Sequence, residues 1–365
     1  MKLTIDLRMY RMSGIGRYLQ NLVPLLIDLV EAKRIRVLGD PRQLCLDEWS
    51  NDPRVEVFAS EAAIYGLQEQ TLALTGALLN TDLLWVPHYN APLLYTGRLA
   101  VTVHDVCHLA LPESLGSSVK RSYSRLLFAN VARRADAIFC VSEFTALEVQ
   151  RYLHVTSTKI YVTHPGVDAR WDINAQPYLD PGGVPYFLFV GNVKPNKNLR
   201  CLLAAFRQVM HQIPHRLVIV GKLSNMKSID NAVIAEAQSM PERVHLTGEI
   251  SDERLMQYYR GAEAFVFPSL YEGFGLPLLE AMSLKCPVLC SNTSSLPEVA
   301  GNAALYFNPL DSSDLAEKLL KIVSSAALRS SLVEEGIARV QKFSYERCAE
   351  QTAEVLNRIL LEKNR

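Results

Sequence analysis

The chain has 365 residues, 49% of them hydrophobic and 21% charged, which is enough apolar material for two packed cores and excludes a disordered chain. Lys plus Arg and Asp plus Glu both number 38, so no global charge draws the protein to nucleic acid or to an anionic membrane. Its 7 scattered cysteines, with no C-x-x-C pair, point to a reducing compartment rather than a disulfide framework.

Met1-Lys2-Leu3-Thr4-Ile5-Asp6 enters a strand pattern without an apolar leader, and no uncharged run has the length of a membrane span, so a cytoplasmic protein is expected. The strand Leu3–Leu7 leads into a glycine loop, Ser13-Gly14-Ile15-Gly16-Arg17-Tyr18, and a helical pattern over Gly16–Leu29. Strand patterns follow at Arg54–Phe58, Leu83–Pro87, Leu99–His104, Ala137–Ser142 and Lys159–Thr163, with helical patterns at Ser117–Arg134 and Glu143–Leu153. A segment rich in Pro and Gly, Ala169–Pro185, reads as a linker.

Beyond it come strand patterns at Tyr186–Val190, Arg216–Val220, Val244–Leu246, Ala264–Pro268, Pro287–Cys290 and Ala304–Phe307. Helical patterns lie between them at Asn198–His211, Asp252–Tyr259, Leu278–Ser283 and Leu315–Ser324, and a last helix covers about Tyr345–Lys363. The alternation predicts an α/β protein of two Rossmann-like, doubly wound domains, residues 1–170 and 182–344, with the helix at about 345–365 placed to pack back on the first. Ligands of such folds bind at the carboxyl ends of the strands, so the chemistry is expected in the loops there, in a cleft between the domains.

The most informative segment follows the strand at Ala264. In Ser269-Leu270-Tyr271-Glu272-Gly273-Phe274-Gly275-Leu276-Pro277-Leu278-Leu279-Glu280, a glycine-containing loop enters a helix whose first turn holds Pro277. Backbone N–H groups at such a helix start form an anion site. Glu272 in the loop can accept hydrogen bonds from sugar hydroxyls, and Glu280, one turn into the helix, can chelate a vicinal diol. This E-x7-E segment resembles the donor motif of the family-4 retaining glycosyltransferases of GT-B fold. The resemblance implies that Glu272 holds the transferred sugar, Glu280 the ribose, and the backbone of Gly273, Phe274, Gly275 and Leu276 the diphosphate.

It extends, in family order, over nearly the whole chain. Gly191-Asn192-Val193-Lys194-Pro195-Asn196-Lys197 matches a glycine loop ending in a phosphate-binding lysine, here Lys197, with Gly191 allowing close approach. The arginine that many members carry is absent, with Asn192 and Asn196 in its place and Lys194 able to substitute. His104-Asp105 matches a histidine that contacts donor sugar or takes an acceptor proton. Gly16 and Arg17 match a loop beside the donor phosphates or the acceptor. His88 follows another strand and is a candidate for the acceptor side. Ser142 reads as a helix cap, and Ser295-Leu296-Pro297-Glu298 as a capping box.

The implied activity is a retaining hexosyltransferase without a metal or other cofactor. It takes a nucleotide-sugar donor, GDP-mannose in the lead and UDP-glucose next, and a glycan or lipid-linked glycan acceptor, as in bacterial mannosyltransferases of surface-polysaccharide (O-antigen and exopolysaccharide) assembly. No nucleic-acid partner is expected. The basic stretch Lys120–Arg134 is a candidate contact with the inner face of a membrane. Two other readings share the fold: a nucleotide-sugar 2-epimerase, and a non-catalytic nucleotide-sugar-binding module.

Overall fold

The computed structural model describes residues 1–60, 62–74, 76, 78–112, 117–168, 171, 176–178, 183–222 and 230–362. Its contacts divide the chain into two units: the first holds the described residues up to 166 and those from 344 onward, the second those of 167–343. Most of the segment Ala169–Pro185, read as a linker, lies outside the described residues, as does Lys363 at the end of the last helix. Within that segment Tyr178 is anchored to the second unit, its N–H donating to Gln257 O (2.8 Å) and its ring 4.4 Å from that of Tyr258.

The first unit carries seven parallel strands: β1 Lys2–Asp6, β2 Arg34–Gly39, β3 Val55–Ala59, β4 Leu83–Val86, β5 Arg98–Val103, β6 Ala137–Cys140 and β7 Ile160–Val162. They are ordered β3-β2-β1-β4-β5-β6-β7. β4 and β6 are buried along their whole length, as strands covered on both faces are. β2 has no counterpart in the sequence reading. Ile35, Val37 and Leu38 are buried in it, but Arg34 and Arg36 interrupt the apolar run, and Arg36 reaches Glu56 on the neighbouring β3 at 3.1 Å. The helix Ser13–Leu29 packs against the last helix, Tyr345–Leu361, which therefore belongs to this unit.

The second unit has six parallel strands: β8 Tyr186–Val190, β9 Arg216–Val220, β10 Val244–Gly248, β11 Ala264–Phe267, β12 Val288–Ser291 and β13 Leu305–Phe307, ordered β10-β9-β8-β11-β12-β13. Helices Leu199–Val209 and Ser312–Ser324 pack together and bury Leu202, Leu203, Phe206, Leu315, Leu319 and Ile322 in one core with Phe187, Phe189 and Leu217 of the sheet. A helix at Ala326–Val340, not anticipated from the sequence, starts at Ser325, whose side chain accepts from Leu328 N. Ser142 caps the helix Glu143–Leu153 in the same way, accepting from Thr145 N at 2.9 Å.

Both sheets reverse their winding once, between β1 and β4 in the first unit and between β8 and β11 in the second. At such a switch the crossover helices leave on opposite faces, so the loops at the carboxyl ends of the two central strands are left open for a ligand. In the second unit those are the loops entered from Val190 and from Phe267. No helix among the described residues is long and apolar enough to cross a membrane.

Candidate active site

In the second unit, β8 runs into Gly191, a short 3-10 turn at Pro195–Lys197, and Asn198 at φ 55°, which turns the chain into the helix Leu199–Val209. Asn tolerates this left-handed conformation better than other side chains. Asn198 Nδ2 donates to Pro268 O (3.0 Å) and Pro309 O (2.8 Å), and Asn196 O accepts from Leu270 N (2.8 Å). The loop after β8 is thus stitched to the loop after β11.

The stitching brings together the two side chains assigned to the chemistry. Lys197 Nζ lies 2.6 Å from Glu272 Oε1, with the side chains 20% and 14% exposed. Both charges are largely withdrawn from water, and their hydrogen bond is charge-assisted. The stem of Lys197 runs alongside Gly191: a Cβ there would stand 3.8 Å from Lys197 Cδ. The ammonium also lies 5.2 Å from the centre of the Phe267 ring. Asn196, one of the two asparagines standing where many family members carry an arginine, donates its amide to Tyr271 O at 3.4 Å and so serves as a strut between the loops.

The loop from Glu272 ends at Gly275, whose φ of 113° is the glycine-favouring conformation that turns the chain into the helix Leu276–Ser283, with Pro277 in its first turn. Phe274 is buried and its ring packs edge-on against Phe343 at 5.6 Å. Its side chain is therefore spent on packing, and the backbone is what this stretch can offer a phosphate. Glu280 is 4% exposed and takes a 3.4 Å hydrogen bond from Tyr259 OH, a partner not foreseen from the sequence.

The capping box expected at Ser295 is not formed. Ser295 has helical backbone angles and makes no cap hydrogen bond. Its Oγ turns instead to the carbonyls of Glu272 (2.9 Å) and Phe274 (2.7 Å). Gly221 also escaped the sequence reading. It follows β9 directly at φ 149°, and a Cβ there would lie 2.1 Å from Gly191 O.

The remaining candidates belong to the first unit. Gly16 and Arg17 lie inside a helix that starts at Ser13 rather than in a glycine loop. Gly16 N donates to Met12 O (2.8 Å), and a Cβ on Gly16 would meet Tyr10 O at 2.8 Å, so close packing accounts for this glycine. Arg17 follows it, half-buried. His104, just beyond β5, holds its Nε2 3.0 Å from Pro87 O. A carbonyl only accepts, so Nε2 carries the proton and Nδ1 is left as the acceptor of the neutral ring. Burial lowers the His104 pKa and keeps that ring neutral.

His88, after β4, belongs to a buried polar chain, with Tyr65 OH 3.3 Å from its Nε2. Arg8 bridges Asp6 (2.5 Å) and Glu69 (2.8 Å). Asn90 donates its amide to Glu69 Oε1, and its own Oδ1 accepts from His88 Nδ1 at 3.0 Å. Burial pulls the His88 pKa down to about 3. In the second unit His215, stacked on Phe187 with neither ring nitrogen hydrogen-bonded among the described residues, is pulled down to about 4 by burial and then by Arg243.

These two histidines set a pH dependence of stability. The unfolded chain protonates both below their ordinary pKa of 6.5, and the folded chain resists until about 3 and 4. The unfolded state then binds more protons, so stability is full above pH 6.5 and falls as pH drops from there. With exposures of 8% and 3%, each accounts for about 2 kcal/mol lost at pH 5. Urea unfolding at pH 7.5 and pH 5 is expected to show this fall, reduced by about 2 kcal/mol in His215→Phe. An equal fall in that variant would contradict the assignment.

Two family models together cover nearly all of the chain: glycosyltransferase family 4 matches residues 12–171, and glycosyl transferases group 1 matches residues 172–339. The chain belongs to the family-4 glycosyltransferases of GT-B fold. The O-antigen chain mannosyltransferase B of Escherichia coli is 29% identical to this glycosyltransferase over 375 residues, spanning 94% of this chain and 95% of the relative. The serotype-specific mannosyltransferase WbdA of Escherichia coli is 30% identical over 271 residues, covering 70% of this chain but 33% of that longer protein. Among solved structures, Anabaena HepE in complex with UDP-glucose superposes with a TM-score of 0.76 over 98% of this chain and 100% of that one, at 17% identity. Among the described residues of this glycosyltransferase, no group of three or more His, Cys, Asp or Glu side chains is placed to hold a metal ion.

Proposed function

We propose that this glycosyltransferase transfers a hexose, with mannose from GDP-mannose the favoured donor, onto a glycan or lipid-linked glycan during surface-polysaccharide biosynthesis, and that it retains the anomeric configuration. The observation that carries the reading is the Lys197–Glu272 contact of 2.6 Å in the loops at the β8/β11 switch point. It sets a cation for the departing diphosphate beside a carboxylate for the sugar hydroxyls, a few residues before a helix N-terminus. The similarity to a mannosyltransferase over almost its whole length supports mannose.

The anomeric C–O bond breaks with its electron pair going to the diphosphate oxygen. The growing negative charge there is met by Lys197 and by the N–H groups at the start of the helix Leu276–Ser283. The acceptor oxygen closes the new bond on the same face, with the departing phosphate as the nearest base for its proton. His104, with Nδ1 as acceptor, suits a sugar hydroxyl. No metal ion is assigned a step. The reading places the protein in the cytoplasm. It also places a lipid-linked acceptor near the helix Ser118–Arg134, where Lys120, Arg125, Val119 and Leu126 are exposed.

A thermal-shift panel of GDP, UDP, GDP-mannose and UDP-glucose tests the donor, because a ligand bound only by the folded state raises the melting temperature with its affinity. The guanine pair is expected to give the larger shifts, with product of retained configuration and turnover unchanged by EDTA. Larger shifts with the uracil pair would reassign the donor. The absence of a shift with every nucleotide would overturn the reading.

A further inference from the structure

Glu272 lies in neither a strand nor a helix, so regular secondary structure does not fix its backbone. Two consecutive serines from the loop after β12 do so instead. Ser294 Oγ accepts a hydrogen bond from Glu272 N at 3.2 Å. Ser295 Oγ, in a fully buried residue, lies 2.9 Å from Glu272 O and 2.7 Å from Phe274 O, its single proton shared between the two carbonyls. Both backbone polar groups of Glu272 are therefore held by one short segment. The next residue continues the brace: Leu296 Cδ2 lies 3.0 Å from where a Cβ on Gly275 would stand.

Ser294 adopts φ 54°, a left-handed conformation that costs a serine free energy and costs a glycine nothing. Glycine at 294 would relieve that strain but would leave Glu272 N without its acceptor. The strained serine thus stands where its hydroxyl reaches the loop that carries Glu272. We propose that Ser294 and Ser295 are positioning residues for transfer. They fix the main chain of Glu272 so that its carboxylate meets both Lys197 and the donor sugar, while neither serine touches the reacting atoms. Displacement of a reacting or orienting group by about 1 Å costs on the order of 10²-fold in rate, so a loop held by three side-chain hydrogen bonds is worth strain elsewhere. The inference rests on the role assigned to Glu272 above.

Ser294→Gly carries the test, because it removes the hydroxyl without adding strain; Ser295→Ala would strand two carbonyls beside a buried side chain and put folding at risk. The assay is GDP release from GDP-mannose with a mannose-terminated oligosaccharide, together with the melting temperature and the Kd for GDP. For Ser294→Gly the expected result is a melting temperature equal to or above that of the unaltered protein, an unchanged Kd for GDP, and a kcat lowered by about tenfold. Ser294→Asn, which tolerates the left-handed backbone and restores an acceptor oxygen, is expected to recover part of the loss.

Glu272→Gln is measured alongside. If Glu272→Gln is strongly impaired and Ser294→Gly turns over within twofold of the unaltered protein, the positioning role is wrong and the site stands. If Ser294→Gly loses activity only in proportion to a lowered melting temperature, the serine is merely structural and the inference is overturned. If Glu272→Gln itself retains normal turnover, the site assignment fails, and the inference with it.

Discussion

Lys197→Ala is expected to lower kcat by about 10²- to 10³-fold, the range found when one preorganised donor is removed from a developing oxyanion. The loss has two sources. On the proposed roles the cation assigned to the leaving diphosphate disappears, and Glu272, only 14% exposed, loses the partner that stands 2.6 Å away. Lys197→Arg restores charge but puts a longer, planar group against Gly191, so only partial recovery is expected. Glu272→Gln keeps the shape and removes the charge. The proposed roles make the two side chains one unit, so the double variant Lys197→Ala/Glu272→Gln is expected to lose much less than the product of the single losses. Steady-state kinetics on the four proteins checks this. Multiplicative losses would show that the contact carries no catalytic coupling.

Gly221→Ala is expected to be the most destabilising single methyl addition near the site. At φ 149° and with Gly191 O only 2.1 Å from the added carbon, the strand end has to move. Backbone strain and overpacking together put the cost at about 3 kcal/mol or more. The displaced group is the carbonyl of Gly191, whose N–H donates to Val220 O at 2.9 Å and whose Cα lies along the stem of Lys197. Donor affinity is therefore expected to fall with stability. Gly248→Ala is the control: φ is 74° but nothing stands within 4 Å of the added carbon, so the cost is backbone strain alone, about 1 kcal/mol. Urea unfolding of both variants separates the clash from the strain. Equal small losses would mean that β8 and β9 can part at this point without penalty.

How much of this is legible in the sequence depends on how local each signal is. Tyr186-Phe187-Leu188-Phe189-Val190 is continuously apolar, and its strand bounds match the pattern residue for residue. Glu272, Gly275, Pro277 and Glu280 fall within nine consecutive positions, so strand, loop and helix start can be read together. β2 is hidden because Arg34 and Arg36 break its apolar run, and only the pairing with β1 and β3 restores its identity.

The struts of the site are hidden for another reason. Ser294 meets Glu272, Asn198 meets Pro309, and Gly221 meets Gly191, in each case across an intervening strand or helix. Nothing in Ser294-Ser295-Leu296-Pro297-Glu298 by itself says that the first two hydroxyls turn away from the helix they precede. The spacing reads as a capping box because Ser and Glu are three residues apart, and tertiary contact with the Glu272 loop overrides it.

Titration calorimetry of GDP and GDP-mannose into the unaltered protein, Lys197→Ala and Glu272→Gln tests whether this pair grips the two halves of a sugar diphosphate. Lys197→Ala is expected to weaken both ligands by at least tenfold, and Glu272→Gln to weaken GDP-mannose while leaving GDP unchanged. Binding of both ligands by both variants with the affinity of the unaltered protein would contradict the account.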